Sequence, residues 1–248
     1  METVLLEKLK EGRGSKQLVC FPYLGGYAGS FQGLAEELPD DVEVWAFNPP
    51  GHGRGGGEPL EHIEPMLQLY YEALLDVIKP GCLLFGHSLG GIVAYFTAER
   101  LLAGEHPHAA TFRLVLSACN PPYECGETRY HELPDDRLID QLISYGGLPE
   151  ELVRERELLG YFLPVIHADF KVLYSSSTLN HAPLAVPAYY LWGERDRTVS
   201  LSSAIGWVRY FANEIQLIPI KDGSHMFVMY QPAVVADHLA RLLAQTSR

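Results

Sequence analysis

Gly86-His87-Ser88-Leu89-Gly90 sets one serine between two glycines in the pattern G-x-S-x-G. The apolar run Cys82-Leu83-Leu84-Phe85 precedes it, and Gly91-Ile92-Val93-Ala94-Tyr95 opens a helical pattern after it. Strand, sharp turn and helix in that order expose a serine hydroxyl at the strand's C-terminal end, and only glycines fit so tight a turn. A serine hydroxyl is a poor nucleophile, so it needs a base, and the base needs an acid to orient it. Among ten histidines, His225 stands in Asp222-Gly223-Ser224-His225, between the strand-like run Glu214–Ile220 and the last helical segment. Asp196, in Gly193-Glu194-Arg195-Asp196, directly follows the apolar run Ala188–Trp192. Two acids compete with it. Asp222 lies three residues before the base and reads as a loop-shaping residue, while Glu124 follows the preceding strand.

The order Ser88, Asp196, His225 is that of α/β-hydrolases. In that fold the loop after the first strong strand gives one backbone N–H to an oxyanion hole, and the residue after the serine gives the other. Phe21-Pro22-Tyr23-Leu24-Gly25-Gly26 is that loop here, so Leu24 and Leu89 take the two roles. The glycines beside Leu24 let the backbone approach a substrate closely. Gly51-His52-Gly53-Arg54-Gly55-Gly56 matches a nucleotide-binding G-x-G-x-x-G, but Glu58-Pro59 follows where a helix should open. No zinc-type H-E-x-x-H spacing and no phosphate-loop G-K-[ST] occurs.

The elements that must position these residues alternate. Gln17–Phe21, Val42–Asn48, Cys82–Gly86, Phe112–Ala118, Val186–Gly193 and Glu214–Ile220 read as strands. Most are nearly continuous apolar runs, as expected of parallel strands covered on both faces. Met66–Ile78, Gly91–Leu102, Leu201–Tyr210 and Gln231–Leu243 carry apolar residues at helical spacing. The alternation predicts one α/β domain over residues 1–248, with a mainly parallel sheet and helices on both faces. From about 121 to 185 no strand is visible; Asp135–Tyr145, Glu150–Leu159 and Tyr161–Tyr174 read as helices, and a helical insertion of this length predicts a lid over the site. Phe162, Leu163, Val165, Ile166 and Phe170 are its candidate lining residues.

With 248 residues, 47% hydrophobic and 20% charged, the composition is that of a globular protein and excludes disordered, collagen-like and coiled-coil chains. Nineteen Lys and Arg against 31 Asp and Glu leave a net charge of −12, which gives no electrostatic footprint for nucleic acid. Cys20, Cys82, Cys119 and Cys125 form no C-x-x-C pair and read as buried, reduced thiols. The first residues lack a signal peptide's apolar core, and no apolar run approaches the ~20 residues of a membrane span. A soluble cytoplasmic protein is expected.

Several strings, in this order along the chain, resemble the type II thioesterases, the stand-alone editing enzymes of nonribosomal peptide and polyketide synthesis. They are Phe21–Gly26, Pro49-Pro50-Gly51-His52-Gly53, Gly86–Gly90, Leu133-Pro134-Asp135-Asp136 with Gly146-Gly147-Leu148-Pro149, Gly193–Asp196 and Gly223-Ser224-His225-Met226-Phe227. The resemblance spans about residues 17–243. Leu24 stands where that family often has alanine, Leu89 where it often has methionine, and His167 where an arginine is common before Ala-Asp-Phe. The resemblance implies hydrolysis of an acyl group from the phosphopantetheine arm of an acyl- or peptidyl-carrier protein, with no metal or organic cofactor. It implies no nucleic-acid or membrane partner. A chain-terminating thioesterase of fatty-acid synthesis, a catalytically idle partner of a synthase and a general carboxylesterase are the competing readings.

Overall fold

The computed structural model describes residues 3–108, 111–127, 129–146 and 156–245. Seven strands form one sheet: β1 Leu6–Lys10, β2 Lys16–Phe21, β3 Val42–Phe47, β4 Leu83–His87, β5 Arg113–Ser117, β6 Ala188–Gly193 and β7 Ile215–Ile220. Their spatial order is β1-β3-β2-β4-β5-β6-β7, and every pairing is parallel except β1 with β3. This is the α/β-hydrolase architecture. The central strands are buried along their whole length, which is why they read as unbroken apolar runs.

Helices cover both faces. On one side α2 Ile63–Leu74 and α3 Leu89–Ala103 pack in a core with Val19, Phe21, Leu84 and Leu114. On the other, α1 Gln32–Glu37 and the terminal helix Pro232–Ala244 pack with Leu18, Cys20, Phe85 and Val115. The period-2 alternation of strand side chains supplies the two sets. The four cysteines are free and buried. Among the described residues no helix is long and apolar enough to cross a membrane.

The sequence carries little signal for β1 and α1. β1 is a half-buried edge strand whose Lys8 and Lys10 interrupt any apolar run, and charged residues are typical of exposed edges. α1 spans only six residues, too few to show a helical period.

Between β5 and β6 lie α4 Pro122–Cys125, α5 Asp135–Ser144 and α6 Arg156–Ser176. The helix expected at Glu150–Leu159 falls largely outside the described residues, as do residues 147–149. A separate apolar cluster of Leu138, Ile139, Leu142, Leu163, Ile166 and Phe170 joins α5 to α6. His167 donates to Asp135 Oδ1 at 3.0 Å, tying the same two helices.

One buried carboxylate pins α6 to the body. Asp169 Oδ2 accepts the Gly25 amide at 2.7 Å and His52 Nε2–H at 3.0 Å. His52 Nδ1–H donates to the Pro50 carbonyl, so both ring nitrogens act as donors and the ring is held as imidazolium. Burial opposes that charge, but the hydrogen bond and charge of Asp169 outweigh it and raise the His52 pKa. The string with glycines at 51 and 53 is thus a structural loop that points its histidine inward.

Removing one partner of a buried pair strands the other, so Asp169→Ala should cost about 3–5 kcal/mol in urea unfolding. Protonated His52 is favoured by folding. Its contribution is complete below the ordinary imidazole pKa and is lost as pH rises through the raised value. The stability gap between wild type and Asp169→Asn should therefore narrow with rising pH; a constant gap would refute the ion pair.

Candidate functional site

The parallel strands deliver the chemistry-bearing residues to one edge of the sheet, their C-terminal ends. Ser88 follows β4, Asp196 lies three residues past β6, His225 five past β7, and the Pro22–Gly26 loop follows β2. Ser88 sits at φ 53°, ψ −122°, a strained conformation for a residue with a side chain. Among the described residues only three other non-glycine residues have positive φ, and two of them border this edge: Ala118 and Asp222.

The turn at Ser88 leaves no room beside it. A Cβ on Gly86 would come within 2.1 Å of the Gly90 carbonyl oxygen, and one on Gly90 within 2.0 Å of the Phe21 carbonyl oxygen. At this turn β4, α3 and β2 therefore meet backbone to backbone. Ser88 N–H is anchored by donation to the Ser117 carbonyl at 2.8 Å.

The structure brings Ser88, His225 and Asp196 into one hydrogen-bonded chain. Ser88 O–H donates to His225 Nε2 at 3.2 Å, and His225 Nδ1–H donates to Asp196 Oδ2 at 2.9 Å. The other carboxylate oxygen accepts the amides of Thr198 and Val199 at 2.7 and 3.0 Å. Burial would push the Asp196 carboxyl up, but His225 and these two amides outweigh it and hold it below the usual carboxylate range. Asp196 stays an anion facing Nδ1, which fixes the tautomer that leaves Nε2 bare toward the serine.

The rival acids lie elsewhere. Asp222 pairs with Arg195 at 2.6 Å and shapes the loop at φ 58°. Glu124 lines the cavity described below and makes no hydrogen bond to His225.

Leu24 occupies the second position of a tight turn closed by Gly26 N–H to the Tyr23 carbonyl at 2.7 Å, with Gly25 at φ 72°. That positive φ is the requirement of a type II turn. The Gly25 amide is taken by Asp169, and Leu89 opens α3. The amides of Leu24 and Leu89 have no hydrogen-bond partner among the described residues, and both residues line the cavity over Ser88.

That cavity has a volume of about 280 Å³. Its floor is Ser88, Leu89, Ile92 and Ala118; its roof is Leu142 of α5 with Ile166, Phe170 and Leu173 of α6. Of the five lid residues expected to line it, Ile166 and Phe170 do. Phe162 is half exposed, Leu163 packs into the lid's own cluster, and Val165 is only partly buried and off the cavity wall. By helical spacing 162 and 163 lie on the same side of α6 as 166, 170 and 173 but about one turn nearer its N-terminus, whereas 165 is turned off that side.

His87, Asp169 and Ser117 carry contacts that the sequence reading missed. His87 Nε2–H donates to the His225 carbonyl at 2.9 Å, and Ser117 O–H donates to His87 Nδ1 at 2.8 Å. Burial, aided by neighbouring His225, pushes the His87 pKa down to about 3, so this ring stays neutral. Its place in the G-x-S-x-G string was visible, but nothing local discloses a partner 138 residues away.

A serine on a strained turn, hydrogen-bonded to a carboxylate-oriented histidine under two unpaired amides, defines a serine hydrolase of the α/β-hydrolase fold. The sequence model described as "Thioesterase domain" matches residues 16–243, and the chain belongs to that family. It is 28% identical over 214 residues to gramicidin S biosynthesis protein GrsT of Aneurinibacillus migulanus, covering 86% of this chain and 82% of the relative. To thioesterase PikA5 of Streptomyces venezuelae it is 32% identical over 199 residues, covering 78% and 69%. The solved structure of YbtT, a type II thioesterase from the yersiniabactin NRPS/PKS pathway, superposes with a TM-score of 0.83 at 27% identity, covering 97% of this chain and 98% of that one.

Because Gly90 meets backbone rather than a movable side chain, Gly90→Ala should cost about 3 kcal/mol or more. Labelling of Ser88 by a serine-directed phosphonate should fall with it. An alanine variant that melts and labels like wild type would show that the elbow tolerates a side chain.

Proposed function

We propose that the protein hydrolyses acyl thioesters on the phosphopantetheine arm of carrier proteins, removing wrong or stalled groups from a biosynthetic synthase. The observation that carries this reading is the Ser88–His225–Asp196 chain opening into a roofed, mostly apolar cavity. Relatives named for gramicidin S biosynthesis and the yersiniabactin pathway support the synthase setting. Ser88 Oγ attacks the thioester carbonyl as His225 Nε2 takes its proton, and Asp196 stabilises the resulting imidazolium. The tetrahedral oxyanion is held by the Leu24 and Leu89 amides. Collapse expels the pantetheine sulfur, which takes the proton from His225. Water then attacks the acyl-enzyme, giving its proton to His225, and the free acid leaves as Ser88 is reprotonated.

The cavity limits the acyl group. Its space above Ser88, about 280 Å³, is where the acyl group must lie. Glu124 and Glu127 lie in its wall, and among the described residues no Lys or Arg does. A carboxylate on the acyl group would meet like charge, so neutral or amine-bearing acyl groups fit better.

Ser88→Ala and His225→Ala should each lose at least about 10³-fold in kcat, and Asp196→Asn somewhat less because the base survives in a poorer orientation. A greater loss in Glu124→Gln than in Asp196→Asn would overturn the choice of acid. Intact-mass spectrometry of carriers loaded with varied acyl groups should show faster release of neutral than carboxylate-bearing groups. For a given acyl group, kcat/KM on the carrier should exceed that on the coenzyme A thioester. Equal rates on both would show that the carrier body is not recognised.

A further inference from the structure

His87 lies directly before the nucleophile and touches no part of the cavity, yet it is fully buried and both ring nitrogens are engaged. We propose that His87 and Ser117 are positioning residues for the base, acting on His225 through its main-chain carbonyl rather than its ring. This rests on the assignment of His225 as the base.

The tautomer follows from the partners. The His225 carbonyl can only accept, so the proton of the His87 ring sits on Nε2. A neutral imidazole has one N–H, so Nδ1 is bare and must accept from Ser117 O–H. Ser117 therefore selects the tautomer that holds His225. Without its donor, the ring would be free to place its proton on Nδ1 and turn a lone pair toward the carbonyl.

The holding side is built into the sheet, whereas the held side lies in a loop with few main-chain anchors. His87 and Ser117 are the last residues of adjacent strands and are register partners in the β4–β5 ladder. The His87 ring is boxed by Phe227, edge-on at 5.1 Å, and Tyr23, edge-on at 5.9 Å, so it cannot swing away. His225 belongs to neither strand nor helix. Among the described residues the bond from His87 is the one hydrogen bond to its main chain.

The same strand end thus presents the serine at residue 88 and, through residue 87, sets the height of the base above it. Relative placement of Oγ and Nε2 is the quantity this bond controls. Misplacement by about 1 Å is enough to cost on the order of 100-fold in rate.

Glutamine and asparagine separate the two halves of the proposal. The amide N–H of Gln at position 87 reaches about as far as Nε2, whereas that of Asn reaches only as far as Nδ1. Turnover of a small acyl thioester should fall about 10- to 100-fold in kcat in His87→Ala and His87→Asn, with KM unchanged. His87→Gln should recover most of the loss. Ser117→Ala should lose up to about 10-fold, also in kcat alone. The downfield proton resonance of His225 Nδ1–H should stay sharp in wild type and His87→Gln and broaden in His87→Asn, a signature that simple loss of packing does not give.

Equal kcat in the Gln and Asn variants would overturn the proposal, and so would wild-type kcat in a folded His87→Ala. Where His87→Ala does not fold, the Gln–Asn comparison decides alone. Undiminished turnover in Ser88→Ala would instead remove the underlying assignment of nucleophile and base, leaving a different pattern from either failure.

Discussion

Backbone-to-backbone contact among β2, β4 and α3 is the constraint on which the site depends. Gly86 and Gly90 leave no side chain between these elements, and the turn they bracket forces Ser88 to φ 53°, ψ −122°. Such strain persists only where the surroundings over-determine it. Here the surroundings are two buried central strands and a helix whose residues 89–98 are all buried. The cost of the turn is borne by the most rigid part of the molecule, and in return the hydroxyl stands clear of the backbone, facing the histidine.

Once that serine is fixed at the end of a parallel strand, topology collects the rest. Every parallel strand points its C-terminal end the same way, so loops after β2, β6 and β7 arrive beside Ser88 although they are far apart in sequence. Loops placed on so rigid a frame still need local anchors. Asp196 is held by two amides of its own loop, the Leu24 turn by Asp169 of the lid helix, and the His225 peptide by His87. Each anchor is a hydrogen bond in a place with little water, where such bonds are strong and unpaired groups are costly.

The lid is coupled to this machinery rather than laid over it. Asp169 lies on the same helix as Ile166 and Phe170, which roof the cavity, and its carboxylate accepts the amide of the residue next to Leu24. A movement of α6 that widened the cavity along its length would pull on the turn that presents the Leu24 amide. The buried His52 partner resists this, since separating the pair would leave two charges without compensation.

The sequence by itself determined what periodicity and short-range chemistry can encode. Unbroken apolar runs such as Leu83–Phe85 marked strands buried on both faces, and G-x-S-x-G between strand and helix marked the serine. Residue order pointed to Asp196 and His225, and the apolar helical stretch at 161–174 marked a lid. Edge strand β1 escaped because its lysines break the pattern, and the cavity face of α6 escaped because several apolar residues share that helix and only packing selects among them. The partners of His87, His52 and Asp169 were invisible for a different reason. His87 meets a carbonyl 138 residues away and His52 a carboxylate 117 residues away, and no local propensity carries such information. Only the folded chain, by burying these polar groups where each must find a partner, decided which pairs form.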